Sequence, residues 1–182
     1  MLVKRTYLPK LDNDELNDHI LRAKTGDKNA MFRLSRDTLK FHAKDEKYVE
    51  NMFWLITKVG HGYNVSILAN LACMAVIIKE YDLAFEAAEM GLREEYLATA
   101  YVLHTWTDKG HPGKIHEQAM DLLRRSAIQG YFPARKQVFS LKVQKFGVLG
   151  KVLTFVYSLY LIPQIIIVSI KNRNDPRINY SY

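Results

Sequence analysis

Residues 115–134 read IHEQAMDLLRRSAIQGYFPA, and this stretch decides the predicted fold. Apolar residues at helical spacing fill its first part, Gly130 follows, and a second helical pattern begins at Pro133. A glycine suits this place because helices often end on a residue in the left-handed region, where a side chain is disfavoured. The stretch therefore predicts two helices, near residues 115–129 and 133–145, joined by a tight turn.

Helical patterns also cover the preceding part of the chain, and no alternating strand pattern extends far enough to compete with them. Residues 12–15 (DNDE), for example, place cap-type and acidic side chains before an apolar stripe, as at the start of a helix. Further helices are predicted near residues 13–25, 29–42, 47–58, 64–79, 82–90 and 95–107. The short connections between them imply antiparallel hairpins, so the predicted fold class is all-α.

Four glycines recur at intervals of 34, 31 and 39 residues, each closing one predicted helix just before the next begins. Such an interval corresponds to one helical hairpin per period. Small side chains beside the turns let the two helices approach closely. The residues predicted to shape these turns are Gly26, Gly60, Gly91, Gly130, Ala30, Ala127 and Ala134. The pattern predicts an α-solenoid of about four helical hairpins, followed by a C-terminal hydrophobic helix.

The segment 110–134 resembles a Sel-one-like repeat, a branch of the tetratricopeptide superfamily. That family has a glycine-rich loop, then an alanine, two large residues, an alanine, the turn glycine and another alanine. The matching residues are Ala119, Leu122, Leu123, Ala127, Gly130 and Ala134. Shorter matches lie at residues 23–30 and 87–91, and the resemblance covers about residues 15–140. It implies a superhelical scaffold whose concave face holds a peptide or protein, with no chemistry of its own.

The charge of the chain is concentrated at its C-terminal end. The net charge is +7, from 26 Lys and Arg against 19 Asp and Glu. Residues 1–134 carry 18 basic and 18 acidic side chains, so the whole excess lies in residues 135–182. A neutral repeat body disfavours nucleic acid as a partner. The composition, 48% hydrophobic and 25% charged, also excludes collagen-like and low-complexity chains.

The C-terminal excess surrounds an uncharged helix. Residues 152–170 contain no charged side chain, and twelve of these 19 residues are Val, Leu, Ile or Phe. As a helix they span about 28 Å, close to the thickness of a bilayer core. The flanking cations expected at the membrane interfaces are Lys145, Lys151, Lys171 and Arg173. We predict a membrane-spanning or membrane-embedded helix at 147–171; the alternative is a soluble helix that caps the solenoid.

The predicted organisation is therefore an N-terminal segment (1–12), a helical repeat domain (13–145), the hydrophobic helix (147–171) and a basic tail (172–182). No apolar core of secretory-signal length opens the chain, so we expect the repeat domain on the cytosolic or matrix side of its membrane. The basic, acid-free N-terminus faintly resembles a mitochondrial presequence, which makes the mitochondrial inner membrane one candidate.

No motif in the sequence indicates catalysis, a metal or a cofactor. The six histidines do not fall at metal-ligand spacings, and no phosphate-binding loop, nucleophile elbow or dinucleotide fingerprint occurs. Cys73 lies in an apolar run and is predicted to be a buried, unreactive thiol.

The functional hypothesis is a non-catalytic, membrane-anchored adaptor, assembly factor or accessory subunit that binds a protein partner. Membrane lipid is a second expected partner, and no small-molecule substrate is predicted. One alternative is an immunity protein that masks a toxin. Another is a soluble scaffold in which the last helix caps the solenoid.

Overall fold

The computed structural model of the protein describes residues 10–58, 65–107, 113–172 and 175–178. Within these ranges the chain forms nine α-helices and a short 3₁₀ helix (Gln144–Phe146), and no strand. The α-helices are α1 (Asn13–Lys24), α2 (Lys28–Phe41), α3 (Glu46–Lys58), α4 (Val65–Ile77), α5 (Tyr81–Arg93), α6 (Ala98–Thr107), α7 (Gly113–Ile128), α8 (Phe132–Val143) and α9 (Val148–Lys171). The predicted all-α class is confirmed, and every predicted helix of the body has a counterpart whose ends differ by at most three residues.

Side-chain caps fix the first two helices where the sequence predicts them. The Asp12 carboxylate accepts a hydrogen bond from the Glu15 N–H at 2.8 Å, and the Glu15 carboxylate accepts one from the Asp12 N–H at 3.3 Å. At the start of α2, Asp27 accepts from the N–H groups of Asn29 and Ala30 at 2.9 and 3.1 Å. These bonds satisfy donors that have no partner inside the helix.

Helix α4 is the centre of the packing, where it contacts α2, α3, α5 and α6. Its residues from Ile67 to Val76 are buried apart from Asn70, and Cys73 lies among the buried ones, as predicted. Across the part of the chain that the structure describes, every helix contacts only helices one or two positions away in the sequence. Stacked hairpins have this contact pattern. The four-hairpin solenoid and the identity of the repeats stay predictions.

The turns at Gly26 and Gly130 share one backbone geometry, with φ of 90° and 98°. In each turn the glycine N–H donates to the carbonyl three residues earlier, and the following N–H donates to the carbonyl five residues earlier, at 3.0–3.1 Å. This is the Schellman motif, which requires a left-handed residue at the helix end. Of the small residues beside the turns, Ala30 and Ala134 are fully buried and Ala127 is partly buried against the core.

Gly91 does not end a helix, which corrects the sequence prediction. It lies inside α5, which continues to Arg93. The left-handed residue is Glu95, with φ 59°, and the N–H of Tyr96 closes the turn by donating to the Gly91 carbonyl at 2.7 Å. A Cβ on Gly91 would lie 2.5 Å from the Thr99 Oγ1. The glycine therefore serves the close approach of α6 to α5 rather than the turn.

Candidate functional site

Helix α9 reverses direction after α8 and runs back along it. The chain turns at Gly147, with φ 58°, directly after the 3₁₀ helix. Gly150 then passes so close to α8 that a Cβ there would lie 2.2 Å from the carbonyl oxygen of Val143. With 24 residues α9 is about 36 Å long, roughly twice the length of α8, which has 12. Contacts with α8 or its C-terminal end run along α9 from Gly150 to Gln164.

One face of α9 holds the helix to α8. The ring of Tyr157 stacks on Phe139 with centroids 4.2 Å apart. One turn further on, Leu161 is only 3% exposed, and the Gln164 side-chain oxygen then accepts a hydrogen bond from Arg135 at 3.1 Å. The spacing of three or four residues between these contacts keeps them on a single side of the helix.

The remaining surface of α9 is apolar and exposed, and we call it the α9 apolar face. Eleven large apolar side chains of the helix are between 47% and 80% exposed. They are Val148, Leu149, Val152, Phe155, Val156, Leu159, Tyr160, Ile162, Ile166, Ile167 and Ile170. Within the described ranges, α9 is the one helix long and apolar enough to cross a membrane. Contiguous exposed apolar surface of this extent is uncommon on monomeric soluble proteins.

Basic side chains surround the α9 apolar face, and acidic ones are missing from its neighbourhood in the sequence. Lys145, Lys151 and Lys171, predicted as membrane-flanking cations, are exposed. Arg173, predicted with them, and the turn residue Gly60 lie outside the described residues. The sequence from 122 to 174 contains nine Lys and Arg and no Asp or Glu. The sequence that contains α8 and α9 is therefore basic throughout.

The short segment after α9 returns to the body, an arrangement that no sequence pattern predicts. The carbonyl of Arg177 accepts a hydrogen bond from the N–H of Phe132 at 3.2 Å, at the first residue of α8. The Arg177 guanidinium binds Asp175 at 2.7 Å, and its hydrogen bonds hold the pKa of that carboxyl below its usual value. The Arg177 side chain also covers Gly130, where a Cβ would lie 2.9 Å away. The segments on both sides of α9 are thus attached to the body.

A groove of about 350 Å³ lies between α7, α8 and α9, and we call it the basic groove. Its principal lining residues are Arg124, Ile128, Arg135, Phe139, Lys142 and Tyr157. The stacked rings of Phe139 and Tyr157 form its apolar part, and the three cations form its polar part. No sequence pattern predicts this groove, because its residues come from three helices.

A second groove, of about 200 Å³, lies between α3 and α5, and we call it the α3–α5 groove. In the described part of the chain α3 contacts α1, and α5 contacts α7, but α3 and α5 do not contact each other. Leu68 and Leu71 of α4 line the gap between them, together with Trp54 of α3 and Met90 of α5. The gap is therefore a mainly apolar cleft between α3 and α5, with Thr57 and Glu86 as its polar lining residues.

Titratable groups in the described residues form structural contacts rather than a reactive cluster. No group of three or more His, Cys, Asp or Glu side chains there is placed to hold a metal ion. Burial raises the pKa of the Cys73 thiol far above its ordinary value, which suppresses the thiolate. Glu89 of α5 and Arg125 of α7 form a two-pronged ion pair, and the hydrogen bonds from Arg125 lower the pKa of Glu89. Two of the six histidines, His61 and His111, lie outside the described residues.

Comparison with protein-family models, with curated proteins and with solved structures finds no match to this chain. The resemblance to Sel-one-like repeats therefore stays a prediction from the sequence.

Proposed function

We propose that this protein is a non-catalytic adaptor whose helical body is held at a membrane surface by α9. The observation that carries the proposal is the α9 apolar face, with eleven exposed large apolar side chains on one helix flanked by lysines. A soluble capping helix needs a polar outer face, because that face remains in water. The apolar outer face of α9 favours a membrane over this alternative.

The size of the face is consistent with binding that depends on lipid charge. A fully buried large aliphatic side chain contributes about 1.5–3 kcal/mol, so one that is half exposed can contribute about 1 kcal/mol more on insertion. Eleven such side chains give on the order of 10 kcal/mol, comparable with a single myristoyl chain, which alone binds reversibly. Each nearby Lys or Arg adds about 1 kcal/mol at an anionic surface. We therefore expect firm binding to anionic membranes and weak binding to neutral ones.

We further propose that α9 lies in the plane of the membrane interface instead of crossing the bilayer. A crossing helix would carry residues 175–178 to the far side, which would break the hydrogen bond from Phe132 to the Arg177 carbonyl. It would also pull Gln164 away from Arg135, or bring the charged side chains of α8 into the hydrocarbon region. An in-plane helix keeps its contacts with α8 and still buries its apolar face.

Flotation of the purified full-length protein with lipid vesicles tests the membrane proposal. We expect the protein to float with vesicles that contain an anionic phospholipid and to float less with phosphatidylcholine alone. Recovery of the protein only in the vesicle-free fraction, at every lipid composition, would contradict it.

The adaptor part of the proposal is supported by the α3–α5 groove. Among the described residues, helix α1 contacts α3, and α5 contacts α7, but α3 and α5 do not contact each other. The cleft between α3 and α5 therefore offers room for an apolar helix of a protein partner. Trp54, which is 37% exposed at its edge, is the expected anchor, since partly exposed tryptophans dominate many interfaces.

A photo-crosslinking side chain at Trp54 tests this part in native membranes. We expect one predominant adduct, which Met90→Lys in the opposite wall should abolish. The same crosslinker at Leu21, exposed on α1, is the matched control. Identical adducts from Trp54 and Leu21 would indicate random collisions and refute the groove as the partner site.

A further inference from the structure

The basic groove combines features that suit one class of ligand, and we infer that it binds the phosphate-bearing headgroup of an anionic phospholipid. The inference rests on the proposed membrane association, because the groove opens beside the α9 apolar face. It adds a specific site to a surface that would otherwise attract lipid only through its summed charge.

All charged side chains that line the basic groove are cations. Arg124, Arg135 and Lys142 contribute three cations, and no acidic residue lines the groove. In the described part of the chain no carboxylate pairs with Arg124 or Lys142, whereas the adjacent Arg125 is neutralised by Glu89. Cations without carboxylate partners, gathered on facing helices, attract a phosphate, with which arginine forms its best hydrogen bonds.

One of the cations is held in position before any ligand binds. Arg135 donates one guanidinium nitrogen to the Gln164 side-chain oxygen at 3.1 Å, and its guanidinium carbon lies 5.6 Å from the ring centre of Phe132. A guanidinium fixed by two contacts loses less freedom on binding than a free one. Its remaining N–H groups are the donors that we assign to the phosphate.

The apolar part of the groove favours a phospholipid over a free phosphate. Ile128 is 84% exposed at the groove, the largest exposure among the large hydrophobic residues that the structure describes. The rings of Phe139, Tyr157 and Tyr160 form a row, with centroids 4.2 and 6.0 Å apart, that leads from the groove to the α9 apolar face. Tyrosines are enriched at membrane interfaces because the ring is apolar and the hydroxyl group is polar. A lipid whose headgroup occupies the groove would place its acyl chains beside apolar side chains. An inorganic anion has no apolar part that could make these contacts.

Two charge-removing variants of the full-length protein test whether the groove is a site. R124Q/K142Q removes two groove cations, and the control K28Q/K47Q removes two exposed lysines from α2 and α3, which do not contact α7, α8 or α9. At about 1 kcal/mol per cation, we expect R124Q/K142Q to bind vesicles containing phosphatidylglycerol about thirtyfold more weakly. Binding to phosphatidylcholine should be unchanged in both variants. Equal losses in the two variants would overturn the site in favour of diffuse charge.

A vesicle-free measurement separates this inference from the proposed function. Dioctanoyl phosphatidylglycerol below its micelle concentration should broaden or shift the aromatic NMR signals of Tyr157 in the wild-type protein, and R124Q/K142Q should lose the effect. Glycerol phosphate and inorganic phosphate are the competing probes. If either reproduces the shift at equal concentration, the site is a free-phosphate site and the lipid assignment is wrong. If dioctanoyl lipid binds but vesicles do not, the groove stands and the membrane proposal fails.

Discussion

Replacing Leu159 and Ile166 with aspartate tests the α9 apolar face while leaving the body of the protein intact. The two side chains are 49% and 51% exposed and lie seven residues apart, which places them on the same side of the helix. Because both point away from α8, L159D/I166D should keep the helical content and the unfolding midpoint of the wild type.

The expected loss of membrane affinity follows from the transfer of these two side chains from water into the membrane. Each substitution forfeits about 1 kcal/mol of apolar transfer and adds about 1 kcal/mol or more for an aspartate near the hydrocarbon boundary. The total, about 4 kcal/mol, corresponds to a thousandfold lower partition coefficient. Sedimentation with anionic vesicles over a range of lipid concentrations measures it. The control L21D/F41D changes two exposed apolar residues of α1 and α2 and should bind as the wild type does. An affinity of L159D/I166D within threefold of that of the wild type would show that the α9 apolar face does not enter the membrane.

Three further predictions concern the body. Gly91→Ala should lower the free energy of unfolding by about 1–3 kcal/mol in urea titrations, because the new Cβ would lie 2.5 Å from the Thr99 Oγ1. Arg125 lowers the folded-state pKa of Glu89, so the ion pair stabilises the protein at neutral pH and this stabilisation is lost as the pH falls through that pKa. The free energy of unfolding of Glu89→Gln should therefore fall less on acidification than that of the wild type. The effect should be at most about 1 kcal/mol, since the pair is partly exposed. Cys73 should react with a thiol reagent only after unfolding, because it is buried and its thiolate is suppressed.

Each of these predictions has a result that contradicts it. Gly113→Ala is the control for the first, since a Cβ there would meet no atom within 4 Å, and equal stability losses in the two glycine variants would refute the close-approach argument. Parallel pH profiles for the wild type and Glu89→Gln would show that the ion pair contributes nothing. Rapid labelling of native Cys73 would show that the centre of the packing opens readily.

Most helices could be predicted because their signals are local. The Asp12 and Asp27 caps and the apolar periodicity depend only on near neighbours in the sequence, and Gly26 and Gly130 adopt positive φ. The prediction that Gly91 ends a helix is wrong because a glycine can also be required where two helices approach closely. The left-handed residue is instead Glu95, to which no sequence pattern pointed.

The candidate site was predictable only in part. Hydropathy alone locates α9, because a long uncharged apolar run needs no tertiary information. How α9 is held to the body depends on pairs that are distant in sequence, such as Arg135 with Gln164, which are 29 residues apart. The return of residues 175–178 to the start of α8 depends on a backbone hydrogen bond. Composition and periodicity carry no information about either contact.

The side of the bilayer on which the C-terminal tail lies distinguishes an α9 in the membrane interface from one that crosses the bilayer. Because Cys73 is buried, a single new cysteine can be labelled selectively in the folded protein, at Lys47 on the body or at Tyr182 in the tail. The two variants are bound to sealed vesicles and treated with a membrane-impermeant maleimide. An α9 that lies in the membrane interface predicts that both sites are labelled from the outside to the same extent. Protection of the tail site until the vesicles are opened with detergent, with the body site fully labelled, would show that α9 crosses the bilayer and would contradict the in-plane arrangement.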